Sequence, residues 1–324
     1  MAEEISDIDL KGSRCLVTGG GGFLGSHICE KLVSRGVAKV FAPRSCEVDL
    51  CNDAACDTMF SIFRPDYVFH IAAEVGGIAA NKANPGRYFY ANMKMTLNVI
   101  ECSRIYKVKK LVHTGSVSSY PKDSPLPLSE ENLWDGYPGE YVCSYGMAKK
   151  AAITMLQQYR IQYDFVGIHL ILTNLYGPRD QFNLESGHVI PSLVRKFVSA
   201  KRDGKDSVDI WGTGRATRDF LHVSDCAEGV VRAMERYHGT EPCNLGSTKE
   251  VSIKEIAEKL KDIVSFDGEI KWDTSRPDGP LRRVLKTDRA CNYFGFQPIV
   301  SIDDGLRETV MYWERVCDSD LWQN

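Results

Sequence analysis

The chain of 324 residues lacks the features that would point to a membrane or to a nucleic acid. It contains no run of 18 apolar residues, so no segment is long enough to cross a bilayer as a helix. Its net charge is only −3 and its pI is about 6.2, and neither value favours binding to nucleic acid or to a membrane surface. Internal repeats and low-complexity segments are also missing. What remains is an ordinary globular composition, with 43% hydrophobic and 26% charged residues.

The eleven cysteines lack the spacing of a zinc site. There is no Cys-x-x-Cys pair, and Cys46, Cys51 and Cys56 stand five residues apart. We therefore predict no metal site and interpret the cysteines as reduced, mostly packed thiols. The opening stretch MAEEISDIDLKGS is acidic and has no apolar core, unlike a secretory signal, so the cytosol is the expected compartment.

A glycine-rich stretch near the N-terminus is the first positive signal. Gly19, Gly22 and Gly25 follow a short apolar run with the spacing T-G-x-x-G-x-x-G, and an amphipathic segment begins at Phe23 and Leu24. Glycine permits a tight turn and lets backbone N–H groups and a helix N-terminus approach a pyrophosphate. The stretch predicts a strand, a turn and a helix that bind a dinucleotide, although a plain strand-to-helix turn can show the same pattern.

Short apolar segments alternate with longer amphipathic ones over the first half of the chain. The pattern predicts strands at 14–18, 39–42, 67–72, 110–114 and 165–172, and helices at 23–35, 53–63, 87–105 and 141–162. Such alternation indicates an α/β fold, a Rossmann-type doubly wound parallel sheet with helices on both faces. We assign residues 13–172 to this cofactor-binding domain and residues 1–12 to a flexible or loosely docked tail.

The second half of the chain is less regular. Residues 174–178 have the composition of a turn, and the pattern then predicts helices at 189–200, 224–237, 252–265 and 301–316 and strands at 208–211 and 218–223. We expect residues 173–320 to form mainly a smaller mixed α/β substrate-binding lobe, with a segment at about 218–245 returning to the sheet. Ligands of open α/β sheets bind outside the carboxyl ends of the strands, so the substrate should lie between the two parts.

The predicted helix 87–105 carries apolar residues on most of its faces. They are Tyr88, Phe89, Met93, Leu97, Val99, Ile100 and Ile105. A helix that is apolar on more than one face is buried on more than one face. Together with helix 141–162 it predicts a homodimer held by four helices, and the alternative is that the smaller lobe covers the second face.

The end of the second predicted strand bears on the choice of cofactor. An NAD site usually carries an acidic residue there, whereas an arginine suits the 2′-phosphate of NADP. This strand is followed by Arg44 and by no acid, which favours NADP unless Arg44 is merely a solvated loop residue. We expect Asp49 near the adenine and Ala72 near the nicotinamide ribose. His70 is interpreted as a packed strand residue.

A tyrosine and a lysine mark the candidate catalytic group. Tyr145 and Lys149 are four residues apart on a predicted helix and share one face, although two ordinary surface residues would do the same. A neighbouring ammonium stabilises a phenolate, so we expect the pKa of Tyr145 to lie below its usual value of about 10. Tyr145 would exchange a proton with the substrate while a nicotinamide carries the hydride. Ser116, beyond the fourth strand, is placed to bind the same substrate oxygen.

Taken together, these motifs resemble the extended short-chain dehydrogenases/reductases of the nucleotide-sugar type. The segments that carry the likeness are 18–25, Ser116, Tyr145-x-x-x-Lys149 and 174–178. Further stretches resemble the GDP-L-fucose synthase family, over about residues 13–315; they are 73–78, 187–191, 210–214 and 218–223. The resemblance implies NADP(H) as cofactor, a GDP-linked 4-keto-6-deoxy sugar as substrate, and reduction at C4 after epimerisation at C3 and C5.

The resemblance also assigns roles to individual residues. It implies a reductase triad of Ser116, Tyr145 and Lys149, and it makes His188 the acid of epimerisation. The positions that it implies for substrate binding are Asn174, His188, Lys196, Trp211 and Arg218. Basic side chains suit contact with the nucleotide diphosphate because phosphate pairing is charge-assisted.

One position departs from the family pattern. The family places a cysteine two residues after Ser116 as the base that removes the C3 and C5 protons, and this chain has Ser118 there. An unassisted hydroxyl is a far poorer base than a thiol, so Ser118 either receives help, for which His188 is the candidate, or only binds substrate. The departure leaves reduction untouched and puts epimerisation in question.

Two other interpretations stay open. The chain could reduce or epimerise C4 of a different nucleotide sugar without inverting C3 and C5. It could also be a non-catalytic NADP-binding sensor, but such relatives usually lose the tyrosine or the lysine of the triad, and Tyr145 and Lys149 are both present.

Overall fold

The structure, a computed structural model, describes residues 6–76, 78–184, 187–276 and 278–319. The strands in these ranges are β1 (Arg14–Thr18), β2 (Lys39–Phe41), β3 (Tyr67–His70), β4 (Lys110–Ser116), β5 (Gly167–Leu172), β6 (Asn174–Tyr176), β7 (Ser207–Trp211), β8 (Thr217–His222), β9 (Cys243–Leu245), β10 (Glu250–Ser252), β11 (Glu269–Asp273) and β12 (Arg282–Arg283). The α-helices are α1 (Phe23–Ser34), α2 (Asp53–Phe63), α3 (Ile78–Ala83), α4 (Pro85–Ile105), α5 (Cys143–Tyr163), α6 (Val189–Arg202), α7 (Val223–Arg236), α8 (Ile253–Val264), α9 (Asp288–Phe294) and α10 (Ile302–Asp318). Gly77, part of the motif 73–78, lies outside the described residues.

Six parallel strands form the main sheet, in the order β2-β1-β3-β4-β5-β9. The order reverses at β1, because the chain places β2 on one side of β1 and β3 on the other. This confirms the predicted Rossmann-type parallel sheet, and the five strands predicted for it end within two residues of the predicted bounds. β9 was not predicted, because three residues are too few to show a period.

Each face of the sheet is covered by its own layer of helices. Cys15 and Val17 of β1 pack in a buried cluster with residues of α1 and α7, whereas Leu16, between them, packs with residues of α2 and α4. Successive strand residues point to opposite faces, so a strand covered on both sides must be apolar throughout. The membership of α7 and β9 in this part is consistent with the predicted return of the chain to the sheet after residue 218.

The second part of the fold surrounds a separate apolar cluster. α6, α8 and α10 contribute Phe197, Leu260 and Trp313 to it, and β7 contributes Ile210. β7 pairs with β11, while β8 pairs with β6, β10 and β12. The prediction of a turn at 174–178 is therefore wrong for residues 174–176, which form β6. This strand exists because β8, a distant segment, supplies its hydrogen-bonding partner.

The N-terminal residues are more firmly held than expected. Leu10 is 1% exposed and packs with the α1 and α7 layer, and the N–H of Ile8 donates to the carbonyl oxygen of Glu235 (2.8 Å). The prediction of a flexible tail is therefore wrong for residues 8–12, since the N–H of Gly12 also donates to Gly36 (2.9 Å). Residues 1–5 of that tail lie outside the described residues.

Two further predictions from composition can be compared with the fold. All eleven cysteines are free thiols. Within the described ranges, no helix combines the length and the apolar character that crossing a membrane requires. The cytosolic location stays a prediction.

Candidate active site

The turn between β1 and α1 lies at the carboxyl edge of the sheet, where the strand order reverses. Gly19 has a φ of +73°, and a Cβ on it would lie 2.9 Å from the Cα of Ala72. A Cβ on Gly25 would overlap the carbonyl oxygen of Gly19. Only glycine therefore allows the turn after β1, the start of α1 and the segment after β3 to come this close together.

α1 starts directly after this turn, at Phe23 and Leu24. Its N-cap residue, Gly22, provides no side-chain hydrogen bond, so the first N–H groups of the helix point towards the turn without a cap. Free N–H groups at a helix N-terminus attract an anion. The residues present thus fit the pyrophosphate of a dinucleotide, as the sequence predicts.

Arg44 and Asp49 lie in the connection between β2 and α2, and both are exposed. The N–H of Arg44 donates to the Glu47 carboxylate (2.8 Å), and the Asp49 carboxylate accepts from the N–H of Cys51 (2.9 Å). The loop holds its own backbone by these bonds and leaves the guanidinium of Arg44 beyond the end of β2. Contact of Arg44 with a 2′-phosphate and of Asp49 with adenine stay predictions.

β4 ends at Ser116, and α5 brings Tyr145 and Lys149 to the same edge of the sheet. α5 approaches closely because residue 146 is a glycine, on which a Cβ would overlap the carbonyl oxygen of Ser118. Lys149 is 1% exposed, and its Nζ lies 5.9 Å from the centre of the Tyr145 ring. The backbone N–H of Ser118 donates to the Oγ of Ser116 (3.2 Å). The segments of the predicted triad are thus adjacent.

Burial changes the proton affinities of the tyrosine–lysine pair. It raises the pKa of Tyr145 to about 12 and lowers the pKa of Lys149 to about 7. The prediction of a lowered Tyr145 pKa is therefore wrong, because the loss of hydration disfavours the phenolate more than the ammonium favours it. Tyr145 is consequently a neutral phenol at neutral pH, which suits a group that donates a proton.

His188 precedes the first residue of α6 and is paired with a carboxylate that the sequence analysis missed. Its Nδ1 lies 3.3 Å from Oδ1 of Asp180, whose side chain is 1% exposed and also accepts from the N–H of Gln181 (2.7 Å). The hydrogen bond to Asp180 raises the pKa of His188. An exposed imidazole that keeps its proton to higher pH suits an acid. The only sequence signal for this pair was that an acidic residue, Asp180, stands eight positions before His188.

Trp211 ends β7 and is 62% exposed between two cations. The Nζ of Lys196 lies 5.6 Å from the centre of its rings and the guanidinium of Arg276 lies 5.2 Å from it. Lys196 also donates to the carbonyl oxygen of Asp209 (2.8 Å). An exposed aromatic surface flanked by positive charge can stack on a base and attract a phosphate.

A second pair of cations lies on neighbouring strands. Arg218 of β8 stands opposite Arg283 of β12 in register, and both side chains are half-buried. Burial, and then repulsion by Arg283, lowers the pKa of Arg218 to about 10. Adjacent arginines of this kind suit an anion that accepts from both, such as a diphosphate. Arg283 was missed because β12 has two residues and its partner strand is distant in the sequence.

Asn174, the remaining predicted substrate residue, begins β6. Its Nδ2 donates to the carbonyl oxygen of Asp219 (3.2 Å), the residue after Arg218. Asn174 therefore links β6 to β8, the strand that carries Arg218. The structure places the predicted substrate residues on both parts of the fold.

A dinucleotide turn at a reversal of strand order, with a buried lysine one helical turn from a tyrosine, is found in nicotinamide-dependent reductases and epimerases, and this structure belongs to that class. The family can be stated more narrowly. Residues 15–246 match the model of the NAD dependent epimerase/dehydratase family, and the chain belongs to this family. The comparison confirms the predicted enzyme class and the need for a nicotinamide cofactor.

Individual relatives agree with the resemblance found in the sequence. The chain is 39% identical to GDP-L-fucose synthase 1 of Arabidopsis thaliana over 98% of both chains. The crystal structure of a GDP-L-fucose synthetase from Naegleria fowleri bound to NADP is similar with a TM-score of 0.89 and 27% identity, over 98% of each chain. A GDP-6-OMe-4-keto-L-xylo-heptose reductase from C. jejuni is similar with a TM-score of 0.87 and 30% identity, over 96% of this chain and 99% of that one.

We predict that Asp180→Asn lowers the pKa of His188. The amide keeps an oxygen acceptor but removes the negative charge that stabilises the imidazolium. Histidine resonances are titrated by NMR in the free protein, with His188 identified by its loss in His188→Gln. The hydrogen bond to Asp180 raises the pKa of His188 in the wild type, so the midpoint should fall in the variant. Asp203→Asn, at the other end of α6, is the control and should leave the midpoint of His188 unchanged. An unchanged midpoint of His188 in Asp180→Asn would refute the pairing.

Proposed function

We propose that this protein uses NADPH to reduce the C4 ketone of a GDP-linked 4-keto-6-deoxyhexose, as in GDP-L-fucose synthesis. The observation that carries the proposal is the buried Lys149 beside Tyr145, on the helix that packs against the segment after Ser116, at the edge that holds the dinucleotide turn. Support comes from relatives named as a GDP-L-fucose synthase, as an NADP-bound GDP-L-fucose synthetase and as a GDP-4-ketoheptose reductase. The cofactor is NADP(H).

In this proposal the residues at the carboxyl edge of the main sheet carry out the reduction. The turn at Gly19 and the N-terminus of α1 bind the pyrophosphate, and NADPH bound there supplies the hydride. Tyr145 donates its proton to the C4 oxygen, to which the Oγ of Ser116 also donates a hydrogen bond. Lys149, in its protonated form, stabilises the phenolate that Tyr145 becomes.

The second part of the fold binds the nucleotide in this proposal. Arg218 and Arg283 pair with the diphosphate, and Trp211 together with Lys196 provides a stacking surface and a further positive charge. Asn174, at the start of β6, and His188, at the start of α6, contact the sugar in this proposal. In this proposal the residues for cofactor binding and proton transfer precede the predicted boundary near residue 173, and the residues for substrate binding follow it.

Tyr145→Phe should strongly reduce turnover while leaving the fold and NADPH binding intact. Loss of the proton donor removes acid catalysis, for which a decrease in kcat of about 10²–10⁴-fold is expected. NADPH absorbance is followed with GDP-4-keto-6-deoxy-mannose as substrate, and Tyr141→Phe, an exposed tyrosine one turn earlier, is the control. Undiminished turnover in Tyr145→Phe would disprove the role of Tyr145. Tight NADPH binding by a wild type that consumes none would favour a sensor.

Ser118 favours a second candidate function, reduction without epimerisation at C3 and C5. The pair of His188 and Asp180 supplies an acid for epimerisation, but a serine hydroxyl ionises far less readily than the family's thiol. The two functions share the same reductase site. The two functions differ in whether the C–H bonds at C3 and C5 are broken.

We expect Ser118→Cys to increase deuterium uptake from solvent at C3 and C5 of the substrate. A thiol ionises near pH 8.5, so the new side chain can act as a base at neutral pH. Uptake is measured by mass spectrometry without NADPH, and an increase of about tenfold or more is expected. Ser119→Cys, at the neighbouring buried position, is the control. Equal uptake by the wild type and Ser118→Cys would show that position 118 does not hold the base.

We also propose that two copies of the chain associate through α4 and α5. In the protomer one face of α4 is buried, but Phe89, Leu97 and Ile105 are 45%, 42% and 50% exposed, so the described residues of the smaller part leave these side chains open to a partner. Leu97→Glu should convert a dimer into a monomer in sedimentation equilibrium, because it places a charge in the proposed contact. Ile299→Glu, on an exposed loop, should not. A wild type that is monomeric at micromolar concentration would rule out the dimer.

A further inference from the structure

β9 stands at one end of the main sheet, and the connection between β4 and α5 covers its outer side. On the inner side, Asn244 of β9 stands opposite Ile171 of β5 in register. On the outer side, the backbone N–H of Asn244 donates to a carboxylate oxygen of Glu130 (2.8 Å). Asn244 is 0% and Glu130 5% exposed. The row of backbone groups that an end strand leaves without a strand partner is thus met here by the connection.

The side chain of Asn244 makes three further hydrogen bonds. Its Oδ1 accepts from the hydroxyl of Tyr120 (2.8 Å), and its Nδ2 donates to the carbonyl oxygens of Leu128 (3.0 Å) and Lys286 (2.9 Å). Because carbonyl oxygens only accept, these partners fix which end of the amide faces which segment. Burial raises the pKa of Tyr120, so its hydroxyl stays protonated and donates.

Two of the segments that meet at this amide carry residues of the candidate site. Tyr120 directly follows the short 3₁₀ helix Val117–Ser119 and stands four residues after Ser116. Lys286 stands three residues after Arg283, the arginine of β12. One buried side chain therefore links the segment that begins at Ser116 to the segment that begins at Arg283.

Packing and backbone bonds hold the same segments together. A small apolar cluster contains members of each, among them Val117, Tyr120, Leu128 and Leu285. The N–H of Leu128 donates to the carbonyl oxygen of Val284 (2.8 Å), and the N–H of Lys286 donates to that of Leu128 (2.9 Å). A shift of either segment would leave a buried donor or acceptor of the amide unpaired, which costs more than the bond itself contributes. The network thus specifies one arrangement of the two segments.

We propose that Asn244 is a positioning residue that fixes the distance between the residues that reduce C4 and the arginines that bind the diphosphate. The inference rests on the proposed function, in which Ser116 and Arg283 contact two ends of one substrate. A substrate held at both ends reacts only when the two contacts have the right spacing, and a misplacement of about 1 Å can reduce the rate about 10²-fold. Asn244 itself touches neither substrate nor cofactor, so it acts on catalysis through this spacing.

Tyr120→Phe is the more selective of two test substitutions. It removes one hydroxyl and keeps the bonds from Asn244 to Leu128 and Lys286, so it loosens only the segment that begins at Ser116. Dissociation constants of GDP and of NADPH are measured by isothermal titration calorimetry, and kcat is measured with GDP-4-keto-6-deoxy-mannose. Both dissociation constants should be unchanged, while kcat should fall about tenfold.

Asn244→Asp acts on the other segment. It keeps the acceptor for the hydroxyl of Tyr120 but places an oxygen, in place of two N–H donors, against two carbonyl oxygens. The segment that begins at Arg283 should then be held less firmly. The dissociation constant of GDP should rise about tenfold, because buried acceptors lose their donors, and that of NADPH should stay the same. The value of kcat should fall at least as far as in Tyr120→Phe.

Tyr237→Phe is the matched control. Tyr237 is 5% exposed, its hydroxyl donates to the carbonyl oxygen of Glu241 (2.8 Å), and it packs with Cys243 on the opposite face of β9 from Asn244. The control therefore also loses one buried hydrogen bond of a tyrosine, and its Tm should fall about as much as that of Tyr120→Phe. Its kcat should stay at the wild-type value. An unchanged kcat in Tyr120→Phe, or an equal fall in Tyr237→Phe, would overturn the inference.

Amide hydrogen exchange in the free full-length protein gives a readout that needs no turnover. Exchange should become faster at 117–120 in Tyr120→Phe, faster at 284–286 in Asn244→Asp, and unchanged at both in Tyr237→Phe. If Asn244→Asp does not fold, Tyr120→Phe decides alone. Should the wild type consume no NADPH, the proposed function fails, and exchange still decides whether Asn244 joins the two segments. Wild-type exchange at both segments in the two test variants would overturn that link.

Discussion

The burial of one lysine ammonium between α5 and the main sheet is the constraint on which the candidate site depends. Loss of hydration moves the pKa of Lys149 from 10.5 to about 7, which corresponds to a cost on the order of 5 kcal/mol for the charged form. That is a large part of the roughly 5–15 kcal/mol by which domains are stable. Between these two pKa values the unfolded chain binds more protons than the folded one, so stability rises with pH in this window. The same dry environment keeps Tyr145 protonated as a donor.

Close backbone contact is what makes this environment dry and brings its parts together. Gly146 allows α5 to lie against the segment that follows Ser116, and Gly25 allows α1 to lie against the turn that begins at Gly19. A methyl group at either position would force two elements apart. Both contacts lie at the carboxyl edge of the sheet, so the glycine turn and Tyr145 are fixed by the same scaffold. The position of a reactive group here depends on residues that have no side chain.

The sequence predicted the parts of the fold that are encoded locally. Strands buried on both faces are continuous apolar runs, and the glycine spacing marks a turn, so the main sheet and the dinucleotide loop could be predicted. β6 and β9 have three residues each and exist only because a distant strand pairs with them. Arg283 and Asp180 were missed for the related reason that their partners come together only in the folded chain. The pKa of Tyr145 was predicted in the wrong direction because the spacing of two residues on a helix carries no information about burial.

The residues proposed for reduction and those proposed for epimerisation stand on separate parts of the fold. The proposed reductase residues stand on β4 and α5, whereas His188 and Asp180 belong to the connection that leads to α6 and the second apolar cluster. Position 118 contacts Ser116 through its backbone N–H, which every residue except proline provides. The side chain there can change without loss of that contact. In the proposed function, a serine at position 118 therefore alters only the proposed base of epimerisation and leaves Ser116, Tyr145 and Lys149 in place.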